Sequence, residues 1–163
     1  MAEIRELTAD DWRAWRALRH IALSESPNAF GARLTDWQGE GDTEARWRGR
    51  LTDLPFNVLA SVDGRDAGMA SGTAPDDAGV VDLQTMYVAP SARGHGVGDA
   101  LIEAVTAWAT SQGANSVRLQ VFEDNAAAIA LYRRCGFLDD GTVQYRRRAL
   151  KMVRGLRHPS RSA

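Results

Sequence analysis

Between Arg93 and Gly98 the sequence reads Arg-Gly-His-Gly-Val-Gly, and no other segment constrains the fold as much. It follows a run from Val80 to Val88 that reads as a strand and stops at Pro90. It precedes Val97, Leu101, Val105 and Trp108, which lie at i, i+4, i+8 and i+11 on one face of a helix. Strand, glycine-rich turn and helix, in that order, make an anion site. The first amides of a helix have no intrahelical partner, and the helix dipole adds partial positive charge there. Glycines without a Cβ let the main chain approach a phosphate closely, and Arg93 adds a permanent cation. The same glycines also suit a plain turn, so the segment alone leaves both roles open. Two common nucleotide patterns fail. No glycine is followed by lysine, as a P-loop requires, and the sixth position of G-x-G-x-x-G is Asp99 counted from Gly94 or Leu101 counted from Gly96.

The flanking sequence reads as alternating elements. Residues 3–7 alternate like a short strand, and Thr8 with Asp11 has capping-box spacing for a helix carrying Trp12, Trp15, Leu18 and Ala22 up to Pro27. Thr35 and Gln38 repeat that start signal for a second helix with Trp37, Trp47 and Leu51, closed by Pro55. Two strands, Phe56–Val62 and Arg65–Thr73, flank Asp63-Gly64, a strong hairpin signal. Gly113 ends the helix that follows the glycine turn, and Val117, Leu119 and Val121 alternate in the next strand. A helix from Asn125 to Arg134 ends at Gly136, and strands Phe137–Asp140 and Thr142–Val153 complete the sheet. The order implies an α/β (mixed α+β) fold with a mixed sheet covered by helices on both faces.

Composition narrows the class. With 163 residues, 44% hydrophobic and 25% charged, the chain fits one globular domain, expected over 1–154 with a flexible tail over 155–163. A net charge of −1 gives no electrostatic footprint for nucleic acid or an acidic membrane. The basic residues after Asp140, from Arg146 to Arg161, read as a solvated strand face and tail. Cys135 is the only cysteine, which excludes an internal disulfide and a cysteine-based metal cluster. No signal-type apolar segment and no run of about 18 apolar residues occurs, so a cytoplasmic location is expected. His20 and His158 lack metal-ligand spacing, and no metal is expected.

Three segments in register carry a resemblance. Arg93–Gly98 is similar to the Q/R-x-x-G-x-G/A signature of the GCN5-related N-acetyltransferase (GNAT) family. Met86-Tyr87-Val88-Ala89-Pro90 resembles the strand end before that signature. Asn125-x-x-Ala128-Ile129-x-Leu131-Tyr132-x-x-x-Gly136-Phe137 resembles the family's second cofactor segment, and Ser26–Gly31 is similar to a stretch of many bacterial members. The resemblance implies a seven-stranded, mostly antiparallel twisted sheet, splayed between its fourth and fifth strands. It implies acetyl-CoA as co-substrate, with the main chain of Met86, Tyr87 and Val88 bonding the pantetheine arm. Amides of Arg93, Gly94, His95, Gly96, Val97 and Gly98 would hold the diphosphate.

Asn125 and Tyr132 are seven residues apart, about two helical turns, and so share a face. A phenol there can protonate a departing thiolate, since thiols have pKa near 8.5 and tyrosine near 10. An N-cap role for Asn125 and a packing role for Tyr132 compete with cofactor contact and acid catalysis. The resemblance also implies a carboxylate base on the strand before the signature. Asp82, four residues before Met86, matches that position, while Gln84 stands where many relatives carry Glu. His95 reads as a contact residue, and Cys135 lacks the paired histidine of a nucleophile. The expected activity is direct acetyl transfer to a primary amine, small-molecule or peptide, in a ternary complex. A nucleotide-binding module and a CoA-sensing relative without catalysis are the competing readings. The acceptor is left open among protein amines, polyamines, aminoglycosides and small metabolites. A homodimer is expected by family analogy alone.

Overall fold

Seven strands, β1 (Ala2–Glu6), β2 (Phe56–Val62), β3 (Arg65–Gly72), β4 (Val80–Val88), β5 (Ser116–Phe122), β6 (Leu138–Gln144) and β7 (Arg148–Gly155), form one sheet. The computed structural model describes residues 2–26 and 33–156. Spatial order is β1-β2-β3-β4-β5-β7-β6. Every neighbouring pair is antiparallel except β4 and β5, which run parallel. Four helices, α1 (Trp12–Glu25), α2 (Glu44–Asp53), α3 (Val97–Ser111) and α4 (Ala126–Arg134), cover its faces. The mixed sheet expected from the sequence is therefore present.

Strand β2 shows why both faces must be covered. Val58 and Ala60 pack with Val97, Leu101 and Val105 of α3, while Leu59 between them packs with Trp15 of α1 and Trp47 of α2. Successive side chains of a strand point to opposite faces, so an unbroken apolar run needs a layer on each side. The hairpin into β3 turns on Asp63 and Gly64, with φ of 52° and 78°, the left-handed pair that a two-residue hairpin needs. In β3 itself, a Cβ on Gly68 would stand 2.9 Å from side-chain carbons of both Leu101 and Val97. That glycine lets α3 press onto the sheet at the level of the glycine turn.

Three boundaries differ from the sequence reading. The Thr8–Asp11 capping box forms, with the Thr8 amide donating to Asp11 Oδ2 at 2.7 Å, but it closes one 3₁₀ turn and α1 starts at Trp12. The second helix does not begin near Thr35. Two 3₁₀ turns, Leu34–Trp37 and Gly39–Gly41, intervene, with Gly39 at φ 59°. Thr43 then caps α2 by accepting from the Arg46 amide at 3.2 Å. At the far edge, Gly141 is not the turn between the last two strands. It lies inside β6, where the register shifts between Asp139 and Thr142, and the chain reverses at Tyr145–Arg147. A left-handed glycine (φ 90°) serves a bulge as well as a turn.

Strand β7 runs through Gly155, and the Leu156 amide bonds Asn115 O at 2.8 Å. Residues 27–31 of the upstream stretch, and the expected tail from Arg157 with His158, lie outside the described residues. Among the described residues no helix is long and apolar enough to cross a membrane, and no group of His, Cys, Asp and Glu could hold a metal ion.

Two glycine substitutions test the packing. Gly68→Ala should lose about 1–3 kcal/mol through overpacking against α3, read as a lower urea midpoint at unchanged slope. Gly49→Ala in α2, where a Cβ meets nothing within 4 Å, should gain roughly 0.5–1 kcal/mol in the same assay.

Candidate active site

Strands β4 and β5 pair over only three residues, Val80–Asp82 with Ser116–Arg118, and then part. Asp82 and Arg118, the last register pair, face each other in a two-pronged ion pair. Arg118 Nε lies 2.8 Å from Asp82 Oδ1, and Nη2 lies 3.1 Å from Oδ2. Beyond this closure a cleft of about 1210 Å³ opens between the diverging strands. It runs from the glycine turn, past Tyr132, to a wall formed by Trp15, Trp37 and Trp47.

The main chain of β4 is aimed by a bulge. Thr85 takes φ 59°, an outlier for a β-branched residue, and the β3–β4 register shifts there. Downstream, the Ala89 amide bonds Ala67 O at 2.7 Å, and Tyr87 lies opposite Met69. Antiparallel alternation then turns the main-chain groups of Tyr87 toward β3 and those of Met86 and Val88 toward the cleft. Of the three residues expected to bond a pantetheine arm, Met86 and Val88 thus face the gap. Tyr87 contributes its side chain, which is buried in the core beneath α1 and α2. Burial first, and then the nearby Glu25 carboxylate, raise the pKa of that phenol.

At the glycine turn, Gly94 and Gly96 take φ of 82° and 78°, and a Cβ on either would meet nothing within 4 Å. The first bond into α3 is Ala100 N to Gly96 O at 3.0 Å, and no side chain caps the helix. The amides of Val97, Gly98 and Asp99 therefore emerge from the helix mouth. Arg93 departs from its expected role. Its amide bonds Pro90 O at 3.3 Å, and its side chain donates to Val88 O at 3.0 Å and to Glu25 at 3.2 Å. His95 is exposed and lies outside the lining of the cleft.

Helix α4 forms the opposite bank. Asn125 is its N-cap, accepting from the Ala128 amide at 3.3 Å, and it also lines the cleft. Tyr132 is buried, edge-on to Phe137 at 5.9 Å, and burial raises its pKa well above the usual tyrosine range. The phenol is therefore neutral across physiological pH. Leu131 packs so closely on Gly98 that a Cβ there would stand 2.8 Å away, which couples α4 to the helix mouth. Cys135, half-buried, lies 3.5 Å from Asp99 Oδ1. Burial and that carboxylate push its thiol up to about 11, the opposite of what a nucleophile needs.

At the tryptophan-walled end, sequence reasoning favoured a core role for Trp15, Trp37 and Trp47 over a substrate wall and missed the arginines beside them. Arg50 of α2 reaches into the cleft and donates to Asn57 Oδ1 at 3.0 Å, Ser71 Oγ at 3.1 Å and Thr85 Oγ1 at 2.8 Å. It thereby ties the bulge of β4 to β2 and β3. Arg19 of α1 lines the same end, while His20 turns away and bonds Trp37 O at 2.8 Å. Arginines on amphipathic helices ordinarily read as solvated, and only the out-of-pattern Asn57 and Ser71 in buried strands hinted at a polar network.

A family model described as acetyltransferase (GNAT) family matches residues 4–137, and the chain belongs to this family. A mycothiol acetyltransferase of Clavibacter michiganensis subsp. michiganensis is 34% identical over 146 residues, covering 88% of this chain and 45% of that protein. The chain thus spans under half the length of that relative. A GNAT-family acetyltransferase from Streptococcus pneumoniae has the same fold, with a TM-score of 0.78 at 22% identity over 96% of this chain and 100% of that one. So does yncA, a putative acetyltransferase from Salmonella typhimurium solved with its cofactor acetyl-CoA, with a TM-score of 0.74 at 20% identity over 97% and 95% of the two chains.

The cleft's own features fit that cofactor. An uncapped helix mouth behind two left-handed glycines suits a diphosphate, and the open edge of β4 beyond Asp82 suits an amide-bearing arm. One consequence of the thiol's environment is testable directly. Alkylation of Cys135 by iodoacetamide should be slow at pH 8 and accelerate only as pH approaches 11. Rapid labelling at pH 8 would contradict the buried, carboxylate-facing thiol.

Proposed function

We propose that this protein transfers the acetyl group of acetyl-CoA to an amine, with both substrates held together in the cleft. The fork between β4 and β5 carries the reading. It leaves a strand edge uncovered between an anion-binding helix mouth and an aromatic wall, the layout that a long thioester and a separate acceptor require. The cofactor supplies an activated acyl thioester. All other roles fall to residues of the chain.

The amides of Gly94 to Gly98, without that of Arg93, hold the diphosphate, aided by the α3 dipole. Main-chain groups of Met86 and Val88 bond the pantetheine arm as a neighbouring strand would. Their N–H groups are also the donors available to negative charge developing on the thioester oxygen, and one such donor commonly contributes a few kcal/mol. Tyr132, neutral and in a dry setting, donates its hydrogen bond to the departing sulfur. Its raised pKa favours stabilisation of the sulfur over full proton transfer, because the proton released by the amine can protonate the thiolate.

Asp82 takes a different part from the base that the resemblance implies. A base acting directly on the amine needs an oxygen facing it, and both Asp82 oxygens face Arg118. We assign this pair to closing the fork and assign deprotonation of the amine to water. A peptide-type α-amine, with pKa near 8, is then a better acceptor at neutral pH than a lysine-like amine with pKa near 10.4.

Three outcomes test this reading. At about 100 times its dissociation constant, CoA should raise the melting temperature by roughly 5–10 °C, with ATP and NAD giving no comparable shift. Tyr132→Phe should retain that shift while kcat falls on the order of 100-fold. Asp82→Asn should lower stability, yet kcat/KM should still rise with pH along the acceptor's own titration. Loss of that rise in Asp82→Asn would return the base role to Asp82.

A further inference from the structure

The charges that line the cleft are matched, with a notable exception at its acceptor end. Asp82 is bound by Arg118, and Asp99 by Arg134 at 3.0 Å, while Arg93 is held by Glu25. Asp82 and Asp99 are the only carboxylates among the described lining residues, and both are engaged. Arg50 differs. Its three hydrogen-bond acceptors, on Asn57, Ser71 and Thr85, are all neutral, and its guanidinium lies 5.2 Å from the centre of the Trp15 ring. Among the described residues it makes no ion pair, and Asp53 acts on it only at longer range. The three bonds use three of five N–H groups. Burial lowers its pKa to about 10, so it stays charged at neutral pH. Arg19 adds a second positive charge, and burial first, then the repulsion of Arg50, lower its pKa to about 10, so it too stays charged at neutral pH.

We infer that Arg50, with Arg19 beside it, receives a carboxylate of the acceptor, so that the acceptor is an amine that is also an acid. The inference rests on the acetyl-transfer reading and names the substrate class for it. A cation desolvated against an aromatic wall gains most from an anion, and with both Nη2 hydrogens committed to Ser71 and Thr85, Arg50 offers a carboxylate its Nε–H or its second Nη1–H as a charge-assisted donor. Distance limits the linker. Arg50 bonds Thr85, whose neighbour Met86 borders the gap where the acyl group lies. Amine and carboxylate are therefore joined by a short chain, as in an α-amino acid or the N-terminal residue of a small acidic compound. Polyamines and aminoglycosides meet the reverse of what they need, two arginines and no carboxylate ready to receive them.

The test uses matched pairs. The CoA-saturated protein is titrated calorimetrically with the common α-amino acids and with the carboxamide of each. Acetyl-CoA consumption is followed on the same pairs, with O-phosphoethanolamine, spermidine and kanamycin as controls. At least one amino acid should bind and react, with its carboxamide weaker on the order of 10- to 100-fold. Arg50→Gln and Arg19→Gln should lower kcat/KM for the acid by a similar factor and bring acid and carboxamide near parity. A purely structural role, such as holding the Thr85 bulge, would lower both members of a pair alike. Arg19→Gln carries the test where Arg50→Gln disturbs folding. Equal handling of acid and carboxamide, binding by none of the amino acids, or preference for the phosphate or polycationic controls overturns the inference. Failure of CoA to shift melting would instead remove acetyl transfer, and titration of the CoA-free protein would still read the carboxylate site.

Discussion

Parallel pairing of β4 with β5 ends at Asp82 and Arg118, and the rest of the molecule is arranged around that interruption. Two strands that part inside a sheet expose main-chain donors and acceptors that would otherwise bond each other. Here the ion pair closes the crotch of the fork, and the bulge at Thr85 turns Met86 and Val88 toward the opening. Arg50 holds the bulge from the other layer by bonding Thr85 together with Asn57 and Ser71. The cleft is thus bounded by the sheet's own geometry, with α3 supplying the uncapped helix mouth at one end and α1 and α2 the aromatic wall at the other.

Stability and function meet at the same residues. Gly68 lets α3 settle onto β3, and that contact sets the height at which the helix mouth opens beside β4. Gly98 lets Leu131 of α4 close over the same mouth, which brings Tyr132 to the cleft. A bulkier residue at either position would move the anion site relative to the fork. In the proposed function, packing at Gly68 and Gly98 would therefore bear on binding, and of the two only Gly98 lines the cleft.

What was legible in the sequence was local and periodic. Asp63-Gly64 defined a hairpin whose strands run as expected, and the spacing from Val97 to Trp108 described α3 with its buried face. The signature at Arg93–Gly98 marked the turn whose left-handed Gly94 and Gly96 lead into the uncapped start of α3. Thr35 and Gln38 misled because a capping pattern states only that a helix can begin. Gly39 and Gly41 then divert the chain into short turns before Thr43 starts α2. Gly141 misled because a left-handed glycine can bulge a strand as readily as end it. The polar network at the tryptophan-walled end was illegible for a different reason. Arg50, Asn57, Ser71 and Thr85 come from four elements, and nothing in their spacing shows that they meet. The part played by Asp82 likewise depended on Arg118, thirty-six residues away.

The most direct test of the account is a structure of the protein with CoA bound. The account predicts the diphosphate within hydrogen-bonding distance of amides between Gly94 and Gly98, the pantetheine arm along β4 with bonds to Met86 and Val88, and the Asp82–Arg118 pair intact at the fork. A diphosphate lodged elsewhere, or β4 and β5 zipped together beyond Asp82 with CoA outside the sheet, would contradict it.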